Sequence, residues 1–280
     1  MEIFRALAAL IESPQEEHAP IAKALEIGPL PSADEYTETF LFNLYPYASV
    51  YLGQEGMMGG EACDRIAGFW RALNLTPPNE ADHLATLLGL YANLYDLEEI
   101  ANDKLQKAKW RHARKVLLWE HLLSWLPVYL HKLRLMASPF YRSWGEILER
   151  ALIEESKKVG RPETISQHLL ETLTLQDPRE HGLDEFLASL ISPVHAGFIL
   201  TRADLQRAAR GLNLGLRVAE RKFILQTLFN QDAHAILAWL SNEADAWIEW
   251  HASQEEVCGA TASAWKIKAE VSMKLLRELG

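Results

Sequence analysis

Cysteine is nearly absent from the chain, with two residues among 280, and no stretch reads as an uninterrupted membrane span. Cys63 and Cys258 form no CxxC pair, so the sequence predicts reduced thiols rather than a disulfide framework or a zinc site. The most apolar stretch, residues 110–135, contains charged side chains that would be costly in hydrocarbon. The N-terminus is acidic and lacks the basic start of a secretion signal. We therefore expect a cytoplasmic protein without stable membrane insertion.

Basic side chains are also in the minority. The chain has 28 lysines and arginines against 38 aspartates and glutamates, which gives a formal net charge of −10. A general nucleic-acid binder needs a basic surface to displace counterions from phosphate, so the composition argues against that class. An acidic surface suits a basic partner, or it serves solubility alone.

The sequence contains none of the motifs GxxxxGK[ST], GxGxxG, GxSxG or HExxH, so nucleotide, hydrolase and zinc-protease sites lack their usual parts. We expect no bound cofactor. One spacing typical of metal ligands is present. Glu80 and His83 are three residues apart and would lie on the same face of a helix. Carboxylate-bridged metal sites need that pair twice, on two helices, and the sequence supplies it once. Capping or hydrogen bonding is the favoured interpretation, and a helical metal-dependent enzyme stays as an alternative.

Apolar residues recur at helical spacing along almost the whole chain, and strand-like alternation is scarce. The pattern predicts an all-α, multi-helix bundle. The predicted helices cover residues 2–12, a segment ending near 26, 32–45, 61–73, 79–96, 110–135 and part of 138–160, followed by amphipathic segments near 162–175, 183–191, 202–210, 216–229, 231–250 and 260–278.

Capping residues and turn residues set the boundaries. Ser32 and Thr201 are each followed three residues later by an acidic residue, a sign of a helix start. Asn79 is the predicted N-cap of the helix that follows it. Residues 45–59 contain a proline and a glycine-rich run, which predict a bend and a loop.

The predicted organisation has three parts. Residues 1–136 form an N-terminal helical core, and residues 137–160 form a helix that ends in a candidate linker. The linker is the charged, glycine-containing stretch 155–163. Residues 161–280 form a C-terminal helical part, which either stands alone or packs with the first part as one domain.

Residues 110–135 predict the central helix, apolar over most of its circumference and therefore buried. The pair Glu120 and His121 lies in the middle of it. Pro127 lacks an amide donor and its ring would collide with the carbonyl of Leu123, so it should bend or end the helix. That break would free polar backbone close to Glu120 and His121, which makes a candidate site.

Three segments resemble the TorD/DmsD/NarJ family of redox-enzyme maturation chaperones. They are YPYASVY at 45–51, PPNEADHLATLLGLYANL at 77–94 and WEHLLSWLP at 119–127. The last two carry the family's acidic-His-Leu patterns, the second of them followed by a tryptophan and a proline. Segments 192–205 and 216–225 resemble the C-terminal half of longer family members, less specifically.

The resemblance implies a non-enzymatic, cytoplasmic, all-helical chaperone, as a monomer or a homodimer. Its partner would be the catalytic subunit of a molybdopterin-containing oxidoreductase, bound through that subunit's N-terminal twin-arginine leader until the cofactor is loaded. Carboxylates of Asp82 and Glu120 would meet the arginines, oriented by the neighbouring histidines, and aromatic side chains would take the apolar part of the leader. The implied peptide-binding residues are Tyr45, Tyr47, Trp70, Asp82, His83, Glu120, His121, Trp125 and Pro127.

Other functions stay open at this level. A helical scaffold or regulator that binds a different partner would have the same composition and periodicity. Competition between a twin-arginine peptide and the natural partner would separate that alternative from the chaperone. Metal analysis of the purified protein would test the enzyme alternative.

Overall fold

The computed structural model describes residues 1–162, 166–216 and 219–280. These residues form two compact units, which we call unit 1 (Met1–Ser49 and Met58–Ser166) and unit 2 (Val50–Met57 and Gln167–Gly280). The regular structure of the described residues is helical, apart from an isolated antiparallel bridge between Tyr47 and His83. The predicted all-α fold is confirmed.

Unit 1 contains most of the motifs singled out in the sequence. Its α-helices are α1 (Glu2–Leu10), α2 (Ala19–Ala24), α3 (Ala33–Tyr36), α4 (Ala48–Leu52, which continues into unit 2), α5 (Gly60–Ala72), α6 (Leu84–Ile100), α7 (Lys104–Val116), α8 (Leu126–Met136) and α9 (Pro139–Val159). A 3-10 turn precedes α2 (Glu16–His18), and π-helical segments follow α3 (Thr37–Leu41) and α7 (Leu117–Leu122).

The predicted start of α3 is confirmed as a complete capping box. The Glu35 amide donates to Ser32 Oγ at 3.2 Å, and the Ser32 amide donates to the Glu35 carboxylate at 2.8 Å. Two amides that the helix leaves without carbonyl partners are satisfied in this way.

Two predicted boundaries were wrong. The stretch predicted as a bend and loop contains α4, because a partner elsewhere in the chain caps that helix. The helix that was predicted to follow Asn79 begins at Leu84 instead, since the side chain of His83 caps it. The partner that caps α4 is not visible in a local pattern, because it comes from a distant part of the chain.

Residues near the predicted linker also differ from a simple loop. Residues 155–159 continue α9, and Gly160 ends that helix with a positive φ of 77°. Glu163, the last residue of the predicted linker, lies outside the described residues, as do parts of the predicted segments 162–175 and 216–229.

The predicted central helix is interrupted before Pro127. After α7 the chain winds into a π-helical turn, in which the Leu123 amide donates to Leu118 O, five residues back, at 2.7 Å. A new helix, α8, starts at Leu126 with Pro127 in its first turn. Proline is tolerated there because the first-turn amides have no partner within the helix.

Buried polar contacts hold α6 against α7 and α9. Glu98 and Arg114 are an ion pair whose nitrogen and oxygen lie 3.2 Å apart without hydrogen-bond alignment. The Arg114 guanidinium lies over the Tyr91 ring, and the Tyr91 hydroxyl donates to Glu155 at 2.9 Å. Breaking such a pair by removing one partner would leave an uncompensated buried charge. These contacts fix α6, the helix that His83 caps.

Unit 2 is built around the long antiparallel pair α15 and α17. Its helices are α10 (Gln167–Glu171), α11 (Pro178–Ile191), α12 (Pro193–Ala196), α13 (Arg202–Gly211), α14 (Arg221–Gln231), α15 (Ala233–Ser253), α16 (Glu255–Cys258) and α17 (Ala260–Leu279). The predicted cap at Thr201 is a second complete capping box, here with Asp204. Gly197, just after α12, lies against the backbone of Ala269 in α17.

Candidate functional site

The Tyr47–His83 bridge joins two of the three motif segments. The Ala48 amide donates to Asp82 O at 3.0 Å, and the Leu84 amide donates to Pro46 O at 2.8 Å. The start of α4 and the start of α6 are thereby held side by side. Backbone hydrogen bonds that are buried in this way tolerate little displacement, so the side chains on both starts keep fixed positions.

Asp82 is buried, and its carboxylate is committed to the protein. The Ser49 amide, in the first turn of α4, donates to Asp82 Oδ2 at 3.1 Å. Burial and a hydrogen bond with the adjacent Asp82 carboxylate together raise the pKa of the Cys63 thiol to about 11. A carboxylate at a helix N-terminus satisfies free amides and interacts favourably with the helix dipole. Asp82 therefore acts as the cap that α4 lacks locally.

His83 is also buried, and it caps its own helix. The Ala85 amide donates to His83 Nδ1 at 3.2 Å, which requires that nitrogen to be unprotonated. Burial lowers the pKa of His83, while the carboxylates of Glu12, Glu80 and Asp82 act in the opposite direction. The Glu12 carboxylate approaches Nδ1 to 3.7 Å. A neutral imidazole therefore lies beside several carboxylates.

Tyr47 completes this group from the other side of the bridge. Its ring meets the His83 ring edge-on, with centroids 4.8 Å apart. Burial raises the pKa of Tyr47, and a hydrogen bond with the Glu80 carboxylate raises it further. Burial raises the pKa of Tyr36, and the nearby carboxylates of Glu12 and Glu80 raise it further. Glu12 and Glu80 themselves are exposed.

We call the set Glu12, Tyr36, Tyr47, Glu80 and His83 the bridge cluster. It presents two exposed carboxylates beside two half-buried phenol rings and one buried imidazole. Arginine is recognised by such surroundings, because carboxylates accept its fork of N–H donors and aromatic rings stack against its planar guanidinium. The bridge cluster thus suits a cationic, planar group.

The second group of predicted residues lies on the π-helical turn. Glu120 and His121 are half-buried there, and the backbone carbonyl of each accepts a hydrogen bond from a nearby side chain. Ser124 Oγ donates to Glu120 O, and the Trp125 indole donates to His121 O, each at 2.8 Å. The release of polar backbone near these residues stays a prediction, because a carbonyl can accept from a side chain and from the helix at once.

Helix α5 contacts both groups. Cys63, near its start, lies beside Asp82, and the Phe69 ring lies 4.9 Å from the His121 ring. Six residues separate the two contacts, which is about 9 Å along a helix. The predicted residue Trp70 follows Phe69 and is half-buried; its indole nitrogen is buried without a hydrogen-bond partner among the described residues.

The structure thus divides the predicted residues. Tyr47, Asp82 and His83 form one group, while the π-helical turn and the first turn of α8 hold the other. Trp125 is fully buried, so it supports the second group from within. Pro127 is half-buried, as is Tyr45, which precedes Pro46 in the first motif segment.

Four residues that contribute to the two groups of the candidate site were not identified from the sequence. They are Glu12, Tyr36, Cys63 and Phe69. Each lies on a segment distant in sequence from its partners, and no spacing rule relates a residue after α1 to one before α6. Glu80 was predicted to lie on a helix, in a capping or hydrogen-bonding role or as a metal ligand, but it lies in the turn before α6.

Among the described residues, Glu80 and His83 are not part of a set of side chains that could bind a metal ion. Within the described ranges, no three His, Cys, Asp or Glu side chains are placed to hold a metal ion together. Nor does any helix of those ranges combine the length and apolar character needed to span a bilayer.

The fold and the bridge cluster define an all-α protein whose candidate site is built from aromatic, carboxylate and imidazole groups at helix starts. Residues 7–130 match the sequence model of the nitrate reductase delta subunit family. This match and the motifs support the resemblance of this part of the chain to the TorD/DmsD/NarJ family. The matched residues include both groups of the site.

Two curated relatives show the same similarity, and both are named chaperone protein TorD. One, from Vibrio vulnificus strain YJ016, is 29% identical over 106 residues, which cover 34% of this chain and 46% of the relative. The other, from strain CMCP6 of the same species, is 29% identical over 101 residues, with the same shares covered. The chain thus spans about half the length of the relatives that it matches.

Proposed function

We propose that this chain is a non-enzymatic, cytoplasmic chaperone for a molybdopterin-containing oxidoreductase subunit. It binds the subunit's twin-arginine leader and assists cofactor loading and assembly before export. The family match over residues 7–130 and the similarity to proteins named as TorD chaperones support the general role. The bridge cluster supports the recognition of the leader.

The observation that carries the proposal is the pair of exposed carboxylates, Glu12 and Glu80, beside Tyr47 and His83. A leader supplies two adjacent arginines, and two carboxylates on separate segments can each accept one guanidinium. The tyrosine rings offer stacking surfaces beside them. The neutral imidazole adds no repelling charge at the site.

The structure changes the roles assigned to the predicted residues within this proposal. Asp82 positions the cluster, because its carboxylate is buried against Ser49 and Cys63. Glu120 is half-buried and stays a candidate for a polar contact. His121, Phe69 and Trp70 offer aromatic surface near it, supported by the buried Trp125.

Calorimetric titration with a synthetic twin-arginine leader peptide tests the proposal. The wild-type protein should bind it, and replacing both peptide arginines by alanine should abolish binding. A charge-assisted hydrogen bond contributes about 1.5–3 kcal/mol, so Glu12→Gln with Glu80→Gln should weaken binding by about tenfold or more. Binding should also weaken with salt, because both carboxylates are exposed.

The matched control is Glu249→Gln with Glu270→Gln, which removes the same charge from two exposed glutamates of unit 2. That variant should bind nearly as the wild type does. If the peptide gives no heat with the wild-type protein, or binds equally well without its arginines, leader recognition is wrong and a different partner must be sought by affinity capture.

A further inference from the structure

A second surface feature of unit 1 is an open groove between α1 and α2, with a volume of about 640 Å³. Its apolar lining comes from Ile3, Ala6, Pro20, Ile21, Ala24 and Leu25. All of these side chains are half-buried or exposed. The volume falls in the range of pockets that bind small ligands or a few side chains.

Helix α1 has an apolar face on each side. Phe4, Leu7 and Leu10 are buried in the core, whereas Ile3 and Ala6 face the groove. An amphipathic surface helix usually gives its outward face to polar residues. The outward apolar face of α1 is therefore surface that a partner could cover.

The segment that forms the groove is acidic, which suits the basic leader as a whole. Residues 1–26 contain five acidic and two basic side chains. One of the two bases, Arg5 on the groove wall, is paired with both Glu2 and Asp96. It therefore presents no uncompensated positive charge to a ligand. Electrostatic complementarity of this kind selects the partner and speeds association.

The groove also lies on the helix that leads to the bridge cluster. Helix α1 ends at Leu10, and Glu12, two residues later, is the carboxylate beside His83. Ala6 lies six residues before Glu12, about 9 Å at the rise of a helix. A peptide with its arginines at Glu12 can reach the groove within a few residues.

We propose that the α1–α2 groove binds the apolar run that follows the paired arginines of the leader. This inference rests on the proposed function and adds a second contact region to it. The arginines lie at the bridge cluster, and the apolar side chains that follow them lie against Ile3, Ala6, Ile21 and Leu25. An apolar peptide face laid into an apolar groove is a common mode of peptide recognition.

The test combines one variant of the groove with two peptides. Ala24→Trp places an indole in the groove at an exposed position at the end of α2. Ala252→Trp is the matched control, because Ala252 is exposed near the end of α15 in unit 2. Each protein is titrated with a twin-arginine peptide and with the same peptide carrying serines in its apolar run.

We expect the serine peptide to bind the wild type at least tenfold more weakly than the apolar peptide. In Ala24→Trp that ratio should change by about fivefold or more, because residues in contact give non-additive effects. Ala252→Trp should keep the wild-type ratio. Circular dichroism of both variants checks that they fold.

An unchanged ratio in Ala24→Trp, with arginine-dependent binding intact, would overturn the groove assignment and leave the proposed function standing. Loss of all arginine dependence in the wild type would instead overturn the proposed function. If Ala24→Trp alters the sedimentation of the free protein and not the ratio, the groove serves contact between copies of the chain, and the inference is wrong.

Discussion

The two units place their ionisable groups in opposite surroundings. In unit 1, the buried His83 lies beside carboxylates that reach solvent, among them Glu12 at 3.7 Å. In unit 2, His251 and Lys268 are buried with backbone carbonyls as partners, Gly197 O at 2.8 Å and Thr172 O at 2.7 Å. Burial lowers the pKa of His251 to about 4 and that of Lys268 to about 8.

The difference separates two uses of buried polar groups. Around His83, carboxylates oppose the effect of burial and stay accessible, so the group can respond to a cationic ligand. Around His251 the rings of Trp247, Trp250 and Trp265 form an aromatic enclosure. There the charged form is opposed mainly by desolvation, which ties the group to the stability of the fold. Substitutions in unit 2 should therefore change stability, and those at the bridge cluster should change binding.

The largest expected effect on stability is that of Gly197→Ala. The added Cβ would lie 2.2 Å from the Ala269 amide nitrogen, and Gly197 has a φ of +81°. Steric overlap and left-handed strain together should lower the free energy of unfolding by about 3 kcal/mol or more. Urea denaturation followed by circular dichroism measures the change.

Gly211→Ala is the comparison for that substitution. Gly211 ends α13, with nothing within 4 Å of the position of its added Cβ. Its effect should stay within about 1 kcal/mol and can be stabilising, because alanine reduces the freedom of the unfolded chain. Equal effects of the two substitutions would show that α12 and α17 do not need their close approach.

The next effect is a dependence on acid. The pKa of His251 falls from 6.5 to about 4 on folding, so between these values the unfolded chain binds a proton that the folded chain does not. Stability contributed by neutral His251 is present above pH 6.5 and is lost as the pH falls toward 4. At about 1.36 kcal/mol per pKa unit, the loss amounts to about 3 kcal/mol.

His251→Gln removes this titration while its amide can still donate to Gly197 O. The free energy of unfolding of both proteins is measured from pH 7 to pH 4. Its decrease over this range should be about 3 kcal/mol smaller in the variant than in the wild type. Parallel curves for the two proteins would contradict the assignment of the acid sensitivity to His251.

The smallest effect compares one motif in the two units. Ser32→Ala breaks the exposed capping box of unit 1 and should cost about 1 kcal/mol. Thr201→Val breaks the buried box of unit 2, in which the Thr201 hydroxyl donates to Asp204 at 2.6 Å. It should cost about 2–3 kcal/mol, because a buried carboxylate loses a donor that water does not replace. Thermal melts of both variants measure the two losses of stability. Equal losses would show that burial of the capping box does not increase its contribution.

Local patterns in the sequence predicted much of the fold. Helical spacing of apolar residues gave the helical class, and Ser32 and Thr201 gave two capping boxes that the structure confirms. Such features depend on residues three or four apart, so the sequence displays them directly. The interruption before Pro127 is of the same kind.

The candidate site was predicted only in part. Motif segments identified Tyr47, Asp82 and His83, which the structure brings together at one bridge. The carboxylate that approaches His83 comes from Glu12, more than seventy positions earlier in the chain, and no periodicity connects them. The sequence motif assigned Asp82 to ligand binding. It could not reveal that Asp82 is buried and contacts Ser49, because both depend on the tertiary structure.

The sequence alone determined an acidic, all-helical chain with its helix starts and its family motifs, because each of these depends on composition or on neighbours along one helix. Only the tertiary structure decided which carboxylates stay accessible, which become caps, and which histidines lose their charge. Those outcomes depend on the solvent and partners that packing gives each group. Long-range contacts set that environment, and the order of residues does not display them.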